Sequence, residues 1–262
     1  MVSLAKRQLG QSCIDVSVLG LGTVKFGRNQ GVKYPTTFSL PSDRELIAML
    51  DQARSLGINL LDTAPAYGSS EQRLGRLLTD RQDWVICTKV GEEFLNGKSF
   101  YDFTEAHVRY SIERSLQNLN TDYLDIVLVH SDGNDMHIIE STACLPTLMK
   151  LKEKGLIRAV GMSTKSLHGG LKAVELSDLV MVTYNPSTTD DAEVIRYANS
   201  LNKGVLIKKA LNSGHVATVG ENSIDNKLKF ALTPAGVSSV IVGTISPEHL
   251  RENVESVVRA FA

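Results

Sequence analysis

Short apolar runs and helical periodicities alternate along this chain. Residues 6–17 form two short polar–apolar pieces around Gly10-Gln11-Ser12, which predicts a β-hairpin. Residues 18–23, with Gly20 and Gly22 inside an apolar run, read as a buried strand with close backbone approach. A Gly- and Pro-bearing loop covers 26–41. Pro41-Ser42-Asp43 then opens a helix in which Leu46, Ile47, Leu50, Ala53 and Leu56 recur at helical spacing, and Gly57 ends it before a strand at 58–62.

The alternation continues. Helices are predicted over 71–78, 104–119, 138–154, 166–176, 188–202, 223–232 and 247–260. Strands are predicted over 84–89, 123–130, 157–163, 179–184, 204–209 and 238–242, with a polar and aromatic loop at 91–103 and another loop at 211–221. Strand runs this apolar suit a parallel sheet buried on both faces. Eight strand–helix alternations in about 250 residues are the size of a (β/α)8 barrel. The expectation is therefore an α/β fold, a TIM barrel with an N-terminal β-hairpin, as a single domain over 1–262. A doubly wound sheet would also alternate. Its dinucleotide fingerprint fails here, because Gly20-x-Gly22 is followed by Lys25 where a third glycine belongs.

Composition narrows the function classes. The chain has 28 Lys plus Arg against 29 Asp plus Glu, which gives no electrostatic case for nucleic acid or an anionic membrane. Its three cysteines, Cys13, Cys87 and Cys144, are odd in number and far apart, so reduced thiols are expected rather than a disulfide framework or a metal site. The first residues lack an apolar signal-peptide core, and no apolar run approaches the roughly 20 residues of a spanning helix. A cytoplasmic protein without a membrane partner is expected, and nothing in the chain indicates its oligomeric state.

The chemistry sits at the strand ends. Three successive predicted strands end in Asp62, Lys89 and His130, and Tyr67 lies in the Pro- and Gly-bearing loop after the first of them. In a barrel these ends converge on one mouth. A buried charge costs several kcal/mol unless paired, so three on adjacent strands imply a compensating network. Asp62 is expected to pair with Lys89 and keep it charged. The ammonium is expected to lower the Tyr67 pKa, and His130 to donate a hydrogen bond to a substrate oxygen beside the Tyr67 hydroxyl. Such a set supplies a proton to a developing alkoxide.

Leu61-Asp62-Thr63-Ala64 with Tyr67-Gly68 and Ser70-Glu71, then Thr88-Lys89, His130 and Val160-Gly161-Met162-Ser163, resemble the aldo-keto reductase family. The resemblance runs in order from Leu19 to Asn253. It implies a barrel oxidoreductase that reduces aldehydes or ketones to alcohols by hydride transfer from a nicotinamide cofactor, NADP(H) with NAD(H) also open. It carries the catalytic tetrad onto Asp62, Tyr67, Lys89 and His130, with Tyr67 as general acid. On the cofactor side it points to Gly22, Thr23, Ser163, Thr164, Tyr184, Lys209, Leu211, Ser213, Gly214, Gly243, Thr244, His249, Glu252 and Asn253, and to no metal. Ser163 and Thr164 stand where the family holds the nicotinamide carboxamide with Ser-Asn, and Met181 stands where it has glutamine. Of Lys208 and Lys209, Lys209 is expected to face the pocket. The lysine near Gly243 and the arginine at His249 that grip a 2′-phosphate in relatives are missing.

Aromatic residues Phe26, Tyr34 and Phe38 in one loop, and Phe94, Phe100, Tyr101 and Phe103 in another, suit a mostly apolar substrate pocket. Two other functions fit the same barrel. One is a non-enzymatic cofactor-sensing subunit resembling the β subunits of potassium channels. The other is an aldolase forming a Schiff base on Lys89, against which Asp62 argues by keeping the amine protonated.

Overall fold

The computed structural model describes residues 4–32, 37–212 and 223–261. Eight parallel strands close into a barrel: β3 (Leu19–Gly22), β4 (Leu60–Asp62), β5 (Val85–Val90), β8 (Leu124–His130), β9 (Ile157–Ser163), β10 (Leu179–Thr183), β11 (Gly204–Lys208) and β12 (Val237–Val242). β12 pairs with β3 to complete the ring. The barrel and the N-terminal hairpin match the sequence expectation.

Each strand is apolar on both faces because both are covered. Outward side chains such as Leu61, Ile86, Val127, Val160 and Ile207 pack under the helices. Inward ones, including Leu60, Cys87, Leu128, Met181 and Leu206, fill the barrel. The hairpin, β1 (Lys6–Gln8) and β2 (Asp15–Ser17), lies at the end where the strands begin. Its Leu9, Ile14 and Val16 are buried against the inner layer, so the hairpin forms the barrel floor. Gly10 permits this approach: its φ is +56°, and a Cβ there would overlap the backbone of Lys203 and Gly204.

The surrounding helices are α2 (Asp43–Ser55), α3 (Ser70–Leu77), α4 (Glu105–Asn118), α5 (Asp135–Ser141), α6 (Cys144–Glu153), α7 (Leu167–Leu176), α8 (Ala192–Ser200), α9 (Ile224–Leu232) and α10 (Pro247–Phe261). α2 starts where expected because Ser42 and Glu45 form a reciprocal capping box. Its buried stripe is Leu46, Met49, Leu50 and Ala53; Ile47 is exposed.

Three expectations change. The helix expected over 138–154 is two helices, α5 and α6. The Thr142 hydroxyl breaks it by donating to the Ile138 carbonyl and accepting from the Cys144 N–H. One helical turn, α1 (Val24–Gly27), stands at the start of the loop expected over 26–41. The 91–103 loop contains an antiparallel hairpin, β6 (Glu92–Leu95) and β7 (Lys98–Tyr101), turning at Asn96-Gly97 with positive φ at both residues.

Candidate active site at the barrel mouth

Side chains alternate in and out along a strand. On β5 this puts Cys87 and Lys89 on the inner face, and on β8 it puts Ile126, Leu128 and His130 there. β4 ends at Asp62, and Thr63-Ala64 lead into a 3-10 turn at Pro65–Tyr67. The four residues expected to act together meet at one end of the barrel.

Lys89 is almost completely buried. Its Nζ donates to Asp62 Oδ1 at 2.6 Å and to the Thr63 carbonyl at 2.8 Å. It also lies 4.8 Å from the centre of the Tyr67 ring. Burial alone would lower the Lys89 pKa, but the negative charge of Asp62 and the neighbouring phenol raise it above its ordinary value. Lys89 is therefore a fixed ammonium. The Tyr67 ring meets His130 edge to face, with centroids 6.3 Å apart.

The expected depression of the Tyr67 pKa does not occur. Burial of the phenol is the largest influence and raises it; Lys89 pulls downward, while Asp62 and Glu92 push upward. Tyr67 is consequently a protonated phenol held beside a cation. Two residues outside the expected set complete this half of the mouth. Glu92, the first residue of β6, places Oε2 2.9 Å from His130 Nδ1, though not in line for a straight N–H···O bond. Arg28 donates to the Ala66 carbonyl behind Tyr67 and lies over the Phe94 ring at 3.4 Å.

The cofactor side is rearranged. Lys208, not Lys209, turns inward: its Nζ donates to Ser163 Oγ at 2.8 Å and to the Thr164 carbonyl at 2.7 Å. Lys209 is exposed and sits just beyond the strand with φ +57°. Burial, with Lys209 and Lys165 adding repulsion against the pull of Asp191 and Asp135, lowers Lys208 to about 7. Thr164 does not present its hydroxyl to the mouth. The buried, unpartnered Oγ1 lies toward α7, where a Cβ on Gly170 would sit 3.5 Å away. Met181 is buried in the inner apolar layer.

Tyr184 also points away from the mouth. It stacks on Phe230 of α9 with centroids 4.8 Å apart, while its neighbour Asn185 donates to the Lys209 carbonyl. Thr23 is fully buried; its hydroxyl donates to the Asp62 carbonyl and accepts from Ser70, so it braces β4 instead of facing a ligand. Leu211 packs half-buried against the outer core. Ser213 and Gly214 lie outside the described residues.

Gly22 is level with Asp62 in the β3–β4 register. A Cβ on Gly22 would come 3.6 Å from the Gly243 Cα, so the ends of β3 and β12 adjoin. Gly243 leads into the start of α10. There Thr244 Oγ1 accepts from the Ser246 N–H, His249 and Glu252 are exposed, and Asn253 is buried. Ser163, Lys208, Gly22 and the α10 start thus present donors and open backbone along one side of the mouth. That donor set fits the amide and phosphates of a nicotinamide dinucleotide.

Among the expected aromatics, Phe26 is wholly buried in the core and lines no pocket. Tyr34 is outside the described residues. Phe38 lies 5.1 Å from Lys25 Nζ. Phe100 and Tyr101 are exposed on β7, where Tyr101 stacks with Phe103 and faces Lys165.

Sequence could have indicated Lys208, because two-residue periodicity places it in phase with Leu206. The phase itself is invisible in a strand apolar on both faces. Asn96-Gly97 could have indicated the β6–β7 hairpin. Nothing local indicates that this hairpin carries Glu92 to His130.

Comparison with known proteins agrees with this geometry. The model of the aldo/keto reductase family matches residues 18–227. A solved protein from Pseudomonas aeruginosa, provisionally assigned to the aldo-keto reductases, superposes with a TM-score of 0.91 at 48% identity, covering 100% of this chain and 98% of that one. The L-galactose dehydrogenase of Arabidopsis thaliana is 27% identical, over 98% of this chain and 89% of its own. The uncharacterized oxidoreductase YqkF of Bacillus subtilis is 26% identical, over 97% of this chain and 91% of its own. The chain belongs to the aldo/keto reductase family: it is an oxidoreductase, of a family that uses nicotinamide cofactors, built on a (β/α)8 barrel.

Proposed function

We propose that this enzyme reduces aldehydes or ketones to alcohols with NAD(P)H, and that Tyr67 is the general acid. The observation that carries the reading is the Asp62–Lys89–Tyr67 arrangement. A buried ammonium, fixed at 2.6 Å to Asp62, lies 4.8 Å from the ring of a phenol that stays protonated. When bound, the reduced nicotinamide supplies the hydride. Tyr67 gives its proton to the carbonyl oxygen as negative charge develops there. Lys89 stabilises the phenolate left behind, and Asp62 keeps Lys89 charged throughout. His130, beside Tyr67, orients the same oxygen.

On the cofactor side, Ser163 would hold the nicotinamide amide as the family's serine does, with Lys208 beside it in place of the family's Asn and Gln. Gly243, Thr244, His249, Glu252 and Asn253 would hold the adenosine end. With no lysine or arginine at Gly243 or His249, selection for a 2′-phosphate is weak. Accordingly, kcat/KM with NADPH should exceed that with NADH by much less than a thousandfold, a difference of about 4 kcal/mol. A larger ratio would overturn this reading of the adenosine site.

The decisive experiment follows NADPH and NADH consumption against a panel of aldehydes and ketones, with Tyr67→Phe beside the wild type. Tyr67→Phe should lose roughly 100-fold or more in kcat/KM, the usual worth of a general acid, while binding cofactor as before. Full activity in Tyr67→Phe would refute the acid assignment. The Lys89–Asp62 pair disfavours a Schiff base on Lys89, and borohydride with a carbonyl substrate should leave that residue unmodified.

A further inference from the structure

Lys89 and Lys208 both turn inward at the barrel mouth, in different surroundings. Lys89 has a carboxylate, Asp62, at 2.6 Å. Lys208 has two neutral acceptors, Ser163 Oγ at 2.8 Å and the Thr164 carbonyl at 2.7 Å. Among the described residues no carboxylate lies within ion-pair distance of its Nζ. The acids that act on it from further away, Asp135 and Asp191, are engaged elsewhere. Asp135 Oδ2 accepts from the Lys165 and Ser166 N–H groups and from Ser166 Oγ. Asp191 Oδ2 accepts from the Thr183 N–H, beside Lys208 in the β10–β11 register.

The two acceptors match the two hydrogens of a neutral amine. An ammonium would bring a third N–H, for which the described residues offer no acceptor, and an unmet buried donor is costly. The neutral amine instead keeps a lone pair. Lys208 is only half-buried, so the site is not sealed. The charges around it act in the same sense. Burial and the like charges of Lys209 and Lys165 outweigh Asp191 and Asp135 and bring Lys208 to about 7. His130, on β8, also feels Lys208, which works to lower its pKa. At pH 7 about half of Lys208 is therefore free amine, against fewer than about one in a thousand for an ordinary lysine.

We propose that Lys208 is a covalent carbonyl site, where the amine condenses with small aldehydes to a reversible imine. Its lone pair attacks the aldehyde carbon, and a C–N bond forms as the carbonyl π electrons pass to oxygen. A proton moves from nitrogen to that oxygen. The C–O bond then breaks, water leaves, and the C=N bond is formed. Nothing is oxidised or reduced, and water reverses the step. Lys89 cannot follow this course, because its ammonium has no lone pair. The adduct would stand beside Ser163, where the nicotinamide amide is proposed to bind. Excess aldehyde would therefore exclude the cofactor; this consequence rests on the proposed cofactor placement, and the condensation does not.

The test incubates the full-length protein, without cofactor, with butanal and sodium cyanoborohydride. The reagent reduces imines to stable secondary amines, and peptide mass spectrometry locates the butyl groups. At pH 7 Lys208 should be alkylated at least about tenfold faster than Lys98, an exposed lysine of β7. The ratio of the two rates cancels the pH dependence of the reagent itself. It should fall between pH 7 and about 9, since exposed lysines gain free amine over that range while Lys208 is already free. NADP+ or NAD+ should slow alkylation of Lys208 and leave Lys98 unchanged. Alkylation of Lys208 no faster than that of Lys98, or a label on Lys89 instead, would overturn the inference. A labelled Lys208 that neither cofactor slows would leave the imine site standing and refute the placement of the nicotinamide amide. A labelled Lys208 in a protein that reduces no carbonyl compound would leave this inference standing while the reductase reading fails.

Discussion

Lys208 is the residue whose placement most changes the expected site. It is an amine in the inner layer, lowered to about 7 from an ordinary 10.5. Its pKa is depressed in the folded state, so the unfolded chain binds more protons between those values. Stability is therefore penalised at and below pH 7, and rises as pH increases from about 7 toward 10.5. Lys208→Met should raise the melting temperature at pH 7 and flatten this rise, measured by thermal melts at pH 7 and about 9.5. The same substitution should weaken nicotinamide binding, read by quenching of protein fluorescence. Glu92 has the opposite sign. Its carboxylate is depressed from 4.5 to about 2, so its contribution is complete above the ordinary value and is lost as pH falls through about 2. Between those values wild-type stability should fall more steeply than that of Glu92→Gln in acid denaturation.

The N-terminal hairpin is the element that closes the barrel. Leu9 is wholly buried in the inner layer, touching the floor and not the mouth. Leu9→Ala should cost about 2–5 kcal/mol in urea denaturation, as for other buried leucines, with kcat and KM unchanged. Gly10→Ala should be as damaging, since both its positive φ and the backbone of Gly204 exclude a side chain. The β6–β7 hairpin shows how an element can be legible while its purpose is not. Asn96-Gly97 between strand-like pieces is a hairpin signal. Where the hairpin lands depends on Gly91 and on the Glu93–Arg114 pair, whose partners lie 21 residues apart. At the α5–α6 break, helical periodicity runs through Thr142, and only its two local hydrogen bonds interrupt the helix.

At the scale of the molecule, the site joins the ends of strands distant in sequence. A dinucleotide bound across the mouth from Ser163 to Asn253 would tie β3, β9, β11 and α10 together. Saturating NADP(H) or NAD(H) should therefore raise the melting temperature. At a hundred times Kd the gain is about 2.7 kcal/mol, and its concentration dependence gives Kd independently of turnover. Absence of any shift with either cofactor would argue against the proposed cofactor residues.

The sequence by itself determined the order of strands and helices, and hence the barrel, because helices and buried strands leave different periods. It also singled out Asp62, Lys89 and His130, because an ionisable group ending an apolar run is conspicuous, and with them Tyr67 in the loop that follows the first of these ends. Only the tertiary structure decided which way Lys208, Lys209, Thr164 and Tyr184 point, and that Glu92 meets His130. In a strand buried on both faces, inward and outward residues are equally apolar, so the pattern carries a period but no phase. The phase is set by closure of the ring, and the contacts at its mouth join residues that no local pattern connects.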